Sequence, residues 1–144
     1  CGWPGVTCAN ASSASSAERR VEQLRLAGQD LVGTLPAKLA ELTRLKLLDL
    51  GENMLEGPVP LELGKMASLE SLDLHQNNLN GTVPESLRDL KNLHFLELSH
   101  NNFEGVLLSL LDSKFSQKST LSPSSLLDIP TAPHFPQLLP FPDS

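Results

Sequence analysis

The chain has 144 residues, 40% hydrophobic and 19% charged, with a formal net charge of −6 and no tyrosine. That length holds one domain at most, and with aromatics at 4% the core must be aliphatic, mainly leucine. The acidic balance argues against a nucleic-acid partner, which needs a basic face, and no apolar run approaches the roughly 20 residues of a membrane span. The first residue is Cys1 rather than Met, so the natural beginning is expected upstream, and a missing targeting segment carries no information about compartment.

The chain opens on "CGWPGVTC". Cys1 and Cys8 are too few for a tetrahedral zinc site and have no histidine near them in sequence, so a local disulfide is expected. By the chain-entropy relation, closing so short a loop contributes about 2.5 kcal/mol. Such a bridge points to an oxidising compartment. Two acceptor sequons agree with it, Asn10-Ala11-Ser12 and Asn80-Gly81-Thr82. The small-residue stretch "NASSASSAERR" after Cys8 reads as a loop, so residues 1–20 form a partial cap followed by that loop.

From Val21 the chain repeats itself every 24 residues. Asn53, Asn77 and Asn101 keep that interval, as do Gly33, Gly57, Gly81 and Gly105, and Pro36, Pro60 and Pro84. Leu45, Leu69 and Leu93 follow, then Leu50, Leu74 and Leu98, then Leu39, Leu63, Leu87 and Leu111. The first copy has Leu24, Leu26 and Leu31 in register, with Gln29 in the asparagine position. A period of this size specifies a solenoid, here four turns over residues 21–111.

Each position within the turn has a physical assignment. In "LESLDLHQN" the two-residue alternation predicts a short strand that buries Leu72 and Leu74 and exposes Ser71, Asp73 and His75. Successive turns stack these strands in parallel, about 4.8 Å apart. Where the chain then turns inward, Asn77 satisfies buried backbone groups, because one amide both donates and accepts. Asn53, Asn77 and Asn101 are therefore expected to form a structural ladder. Gly81 allows a bend that a side chain would obstruct, and Pro84 opens a 3₁₀ or helical segment, "PESLRDL", with Leu87 and Leu90 inward. The fold expected is an α/β solenoid, with a parallel sheet on the concave face and short 3₁₀ or helical segments on the convex side.

These motifs resemble the plant-type leucine-rich repeat, LxxLxxLxLxxNxLxGxIP, over residues 1–105, and "CGWPGVTC" resembles the paired-cysteine element of that family's N-terminal cap. The resemblance implies that Trp3 packs over the first turn, that further cap helices precede it, and that a second small strand lies around "GTLP", "GPVP" and "GTVP". It also implies a receptor-like kinase or receptor-like protein ectodomain.

The fourth turn keeps Asn101, Phe103 and Gly105 but has Leu108 where a proline is due. Beyond Leu111 the register dissolves, and residues 112–144, with six of the chain's eleven prolines, read as a Ser/Pro-rich disordered or extended tail. A truncated or misassembled gene is an equal account of that tail.

No catalytic constellation stands out, and no cofactor or metal is called for. His75, His94, His100 and His134 lack a third ligand, although His75 and His100 lie on neighbouring turns within reach of each other. The outward positions of the strands make columns across the turns: Gln23, Leu47, Ser71, Phe95; Arg25, Asp49, Asp73, Glu97; Ala27, Gly51, His75, Ser99; Gly28, Glu52, Gln76, His100. Leu47 and Phe95 have no core role on this pattern and are candidate contacts. The acidic column is either simply solvated or matched to a basic partner.

The leading expectation is an extracellular module that binds a protein, a peptide or another receptor ectodomain through Arg25, Leu47, Asp49, Ser71, Asp73, His75, Phe95, Glu97 and His100. It has no nucleic-acid partner, makes no membrane contact within this chain, and has no enzymatic activity of its own. The rivals are a secreted inhibitor of microbial wall-degrading enzymes and a structural wall-associated protein.

Overall fold

A computed structural model of the chain describes residues 2–9 and 20–104. The expectations for Cys1, Asn10, Gly105, Leu111 and the 112–144 tail fall outside those residues. Strand β1 (Val6–Cys8) is followed by β2 (Val21–Arg25), β3 (Val32–Thr34), β4 (Leu47–Asp49), β5 (Met54–Pro58), β6 (Ser71–Asp73), β7 (Asn78–Thr82), β8 (Phe95–Glu97) and β9 (Asn102–Glu104). Short 3₁₀ helices at Ala37–Glu41, Leu61–Lys65 and Glu85–Asp89 alternate with them. The chain thus winds through a first sheet ordered β1-β2-β4-β6-β8 and a second ordered β3-β5-β7-β9.

In the first sheet the parallel register equals the sequence period. Leu24, Leu48, Leu72 and Leu96 stand opposite one another from strand to strand. Leu48, Leu72, Leu50 and Leu74 are buried, and Leu98 is half-buried against the same core. Leu45, Leu69 and Leu93 close the core from the segment ahead of each strand, and Leu63, Leu87 and Leu90 close it from the 3₁₀ side. Full burial of one such leucine contributes about 1.5–3 kcal/mol, so stacking holds the turns together. Each 3₁₀ helix starts after a proline in extended conformation, as at Pro84 with φ −64° and ψ 131°. Proline's fixed φ suits that corner, and no backbone donor is lost from the short helix.

Two features were not legible beforehand. Strand β1 pairs antiparallel with β2, so the cap extends the first sheet by one reversed strand. The second sheet pairs two residues out of the repeat: Val32 faces Met54, Glu56 faces Asn78 and Asn80 faces Asn102, each 22 residues apart. A lag of two residues keeps every side chain on its own side of the sheet, so the turns shear past one another without exposing the core. Strands β5, β7 and β9 begin directly after a ladder asparagine, and β3, β5 and β7 end within a Gly-x-x-Pro stretch. Gly57 and Gly81, at φ 77° and 72°, provide the left-handed kink in them.

The expectation for Trp3 is corrected: its ring is 80% exposed. The Gly5 backbone takes the place against the first turn. Arg25 N–H donates to the Gly5 carbonyl at 2.7 Å, and a Cβ at Gly5 would collide with the Arg25 carbonyl oxygen.

Candidate functional site

The side of the first sheet away from the core carries the columns read from the sequence. Strand pairing places Gln23 beside Leu47, Ser71 and Phe95, and Arg25 beside Asp49, Asp73 and Glu97. Phe95 is exposed, while Leu47 and Ser71 are half-buried, so the first column is a shallow row with an aromatic end. Lys46 Nζ and Glu22 Oε1 pair at 3.5 Å between the first two turns, beside that row.

The acidic column is not simply solvated. Asp49 Oδ1 accepts from Gly51 N–H at 3.3 Å, Asp73 Oδ1 from His75 N–H at 3.1 Å, and Glu97 Oε1 from Ser99 N–H at 3.1 Å. Each carboxylate holds the backbone two residues on, where the strand ends and the chain begins to turn. One oxygen per group is used in this way. Arg25 heads the column, exposed and with no ion pair among the described residues.

His75 ties the column across two turns. Its Nδ1 lies 2.7 Å from Asp73 Oδ1, and its Nε2 lies 3.5 Å from Glu52 Oε1 on the preceding turn. Burial is the largest influence on its pKa and lowers it. The hydrogen bonds and charges of Asp73, then of Glu52, outweigh that and leave the pKa raised above 6.5. The imidazole occupies space that Gly51 leaves open: a Cβ there would strike its Cε1 and Nδ1. The partners of His75 lie on its own and the preceding turn. His100 stands exposed at φ 55°, in a column of left-handed turn residues with Gly28, Glu52 and Gln76. The glycine between Ala27 and His75 was the available signal for this contact. Spacing alone did not say that a ring would fill the gap.

Behind the strands the ladder forms through the backbone. Asn77 Nδ2 donates to the Leu50 carbonyl of the preceding turn at 2.9 Å and to those of Leu74 and His75 at 3.2 Å, and its Oδ1 accepts from Leu55 N–H at 2.9 Å. Asn53 makes the same set with Leu26, Leu50, Gly51, Gln29 and Leu31, and Asn101 with Leu74, Leu98, Ser99 and Leu79. Gln29, in the first asparagine position, points its amide out to the carbonyls of Ala27 and Gly28 instead. Among the described residues no three His, Cys, Asp or Glu side chains group to hold a metal ion, and no helix is long and apolar enough to cross a membrane.

Two family models, both described as leucine-rich repeat, match residues 60–103 and 44–66. No curated protein sequence matches the chain. Among solved structures, the chain is similar to the ectodomain of the receptor kinase SOBIR1 from Arabidopsis thaliana, with TM-score 0.69 and 35% identity over 77% of this chain and 62% of that one. It is also similar to a chain of the BIR3–SERK2 complex from Arabidopsis thaliana, with TM-score 0.65 and 34% identity over 72% of this chain and 53% of that one. A third likeness is to the plant peptide hormone receptor RGFR1 in complex with RGF2, with TM-score 0.55 and 38% identity over 57% of this chain and 13% of that one. The chain thus spans about half to three fifths of the first two and a small part of the third. The chain carries the leucine-rich repeats that both models describe, and its structural likenesses are to plant receptor ectodomains of that repeat.

Proposed function

We propose that the chain is an extracellular recognition module, the N-terminal ectodomain portion of a leucine-rich-repeat receptor kinase or co-receptor, and that it binds a peptide or another ectodomain across the open face of its first sheet. One observation carries this reading. The face combines an exposed aromatic at Phe95, a half-buried apolar neighbour at Leu47 and a charged column led by Arg25, all on strands whose other side is a closed leucine core. An aromatic anchor beside fixed charges on rigid elements suits a binding surface. Similar ectodomains occur in complexes with a hormone peptide and with another receptor protein, which supports the same partner class. The Cys1–Cys8 bridge and an oxidising location belong to this reading.

The acidic column gives the proposal its chemistry. Asp49, Asp73 and Glu97 favour a ligand with a basic segment, whose binding weakens as salt rises. The test is a panel of secreted plant peptides and receptor ectodomains titrated against the protein by interferometry. Phe95→Asp and Asp49→Asn are expected to weaken a binder by about tenfold or more, which is about 1.4 kcal/mol. Asn78→Asp on the second sheet is expected to leave it unchanged. A binder that tolerates both first-sheet changes and fails with Asn78→Asp would place recognition elsewhere.

A further inference from the structure

His75 lies beside the acidic column with its two ring nitrogens directed at carboxylates of different turns, and the two contacts are not equivalent. Nδ1 stands 2.7 Å from Asp73 Oδ1, a distance that needs a proton between them, so Nδ1 donates in either charge state of the ring. Asp73 Oδ1 also accepts from the His75 backbone N–H at 3.1 Å, which fixes the carboxylate and the ring that it holds. The Nε2 contact with Glu52 Oε1, at 3.5 Å, depends on the second proton. With that proton an imidazolium faces a carboxylate. Without it a lone pair faces a carboxylate oxygen, and two acceptors repel. Glu52 is free to swing away, since its side chain is 58% exposed, whereas that of Asp73 is 20% exposed.

The fold makes this contact at one level of the sheet. Gly51 leaves the gap that the ring fills, and the equivalent positions on the outer two turns are Ala27 and Ser99, which do not titrate. The surroundings offer the ring carboxylates and no fixed cation. On β6 and its turn the neighbours are Asp73 and Gln76; on β4 and its turn, Asp49 and Glu52; on β8 and its turn, Glu97 and His100. Lys46 lies before the start of β4 and pairs with Glu22, and Arg25 stands on β2, beyond β4. The core side of the strands is apolar, with Leu48, Leu50, Leu72 and Leu74.

We propose that His75 is a proton-operated clasp on the binding face: protonated, it ties Glu52 to Asp73 across two turns and keeps both from a partner; neutral, it releases Glu52 to a basic segment of the ligand. The inference rests on the functional reading above for where the ligand lies, and it adds when that face is open. Ligand and proton compete for the same carboxylate, so uptake of a basic segment expels a proton, and by linkage a rise in pH tightens binding. The free protein holds its proton to higher pH than an ordinary histidine, because Asp73 and Glu52 together outweigh burial. A bound cation takes Glu52 away and adds its own positive charge, and both changes lower that value. Acid therefore favours the closed pair of turns, and neutral to mildly alkaline conditions favour the occupied face.

The test uses the full chain and a probe of the stated chemistry, acetyl-tetra-arginine amide, with acetyl-tetra-citrulline amide as its neutral isostere. Proton NMR of the imidazole signals, from about pH 5.5 to about pH 8, reads both the affinity and the His75 titration, over a range where histidine is the side chain that ordinarily changes charge. The His75→Gln spectrum identifies the His75 signal. The arginine peptide is expected to bind at least about fivefold more tightly at the upper pH than at the lower one. At saturation it lowers the His75 midpoint more than those of the other histidines, and the citrulline peptide does neither. His75→Gln is expected to gain affinity at the lower pH and to lose the pH dependence, an outcome that damage to the fold would not produce. Glu52→Gln is expected to lower the His75 midpoint in the free protein.

A pH dependence that survives in His75→Gln, a His75 midpoint indifferent to Glu52→Gln, or an arginine peptide that binds at neither pH overturns the clasp. The two proposals fail separately. A secreted peptide or ectodomain that binds through Phe95 and Asp49 without regard to pH or to His75 removes this inference alone. A clasp that behaves as described, on a chain that no member of the panel binds, removes the functional reading alone.

Discussion

Asn77 shows how one side chain holds two turns. Its amide is buried and meets carbonyls on both its own turn and the one before. Asn77→Ala leaves those carbonyls and the Leu55 N–H without partners, at a cost of about 1–3 kcal/mol. Urea denaturation is expected to register that loss, whereas Gln76→Ala, at an exposed neighbour, leaves the midpoint nearly unchanged. Equal shifts would mean that the ladder does not carry the turn.

His75 adds a pH dependence at the same scale. Its pKa is raised in the folded protein by Asp73 and Glu52 against the opposing effect of burial. The charged groups around it are these two carboxylates from its own and the preceding turn, with Asp49 and Glu97 flanking them in the acidic column. A raised pKa means the folded state holds the proton more tightly, so the stabilisation is complete below the unfolded value near 6.5 and fades as pH rises through the folded value. The stability gap between the parent and His75→Ala is therefore expected to be widest in mild acid and to narrow above neutrality. A gap that grows with pH would refute the assigned contacts.

At the scale of elements, the strand side and the 3₁₀ side stack by different rules. Strands meet through backbone ladders, which fix their spacing whatever the outward side chains are. The 3₁₀ helices have no such ladder between them, and their closeness depends on small residues. Gly64 is the tightest case: a Cβ there would strike the Ser86 carbonyl oxygen and come within 2.6 Å of the Ser86 Cβ. Ser86 Oγ donates to the Leu61 carbonyl at 2.7 Å across the same seam. Gly64→Ala must push one helix off the next, at about 1–3 kcal/mol. Gly51→Ala meets only the movable His75 ring and is expected to cost less while abolishing the His75 pH dependence. Thermal melts of the two variants, each taken across pH, check that ranking.

At the scale of the whole molecule, stability is a sum over neighbouring turns, so the ends matter as much as the middle. The first turn is the less covered one: its 3₁₀ helix at Ala37–Glu41 buries no residue completely, whereas Leu63 and Leu87 in the next two helices are buried. Strand β1 protects that end by pairing with β2, and Cys8 is its last residue. On the proposed Cys1–Cys8 bridge, reduction releases the anchor of β1 and is expected to lower the melting temperature, with an upper limit of about 2.5 kcal/mol lost. An unchanged melt under reductant would mean that β1 holds without the bridge.

The sequence by itself determined which side chains share a column, which leucines enter the core, and where the asparagine, glycine and proline turn the chain. Identical turns meet identical surroundings, so a 24-residue spacing is already a statement about packing. The open-face columns were legible for the same reason, down to the pairing of Asp49 with Asp73 and of Ser71 with Phe95. Only the tertiary structure decided the reversed strand β1, the exposed Trp3, the two-residue lag of the second sheet and the reach of His75 over Gly51. These depend on how closely two backbones approach and how far one turn shears against the next, and such distances are set when the turns dock together, not by the spacing of residues within any one of them.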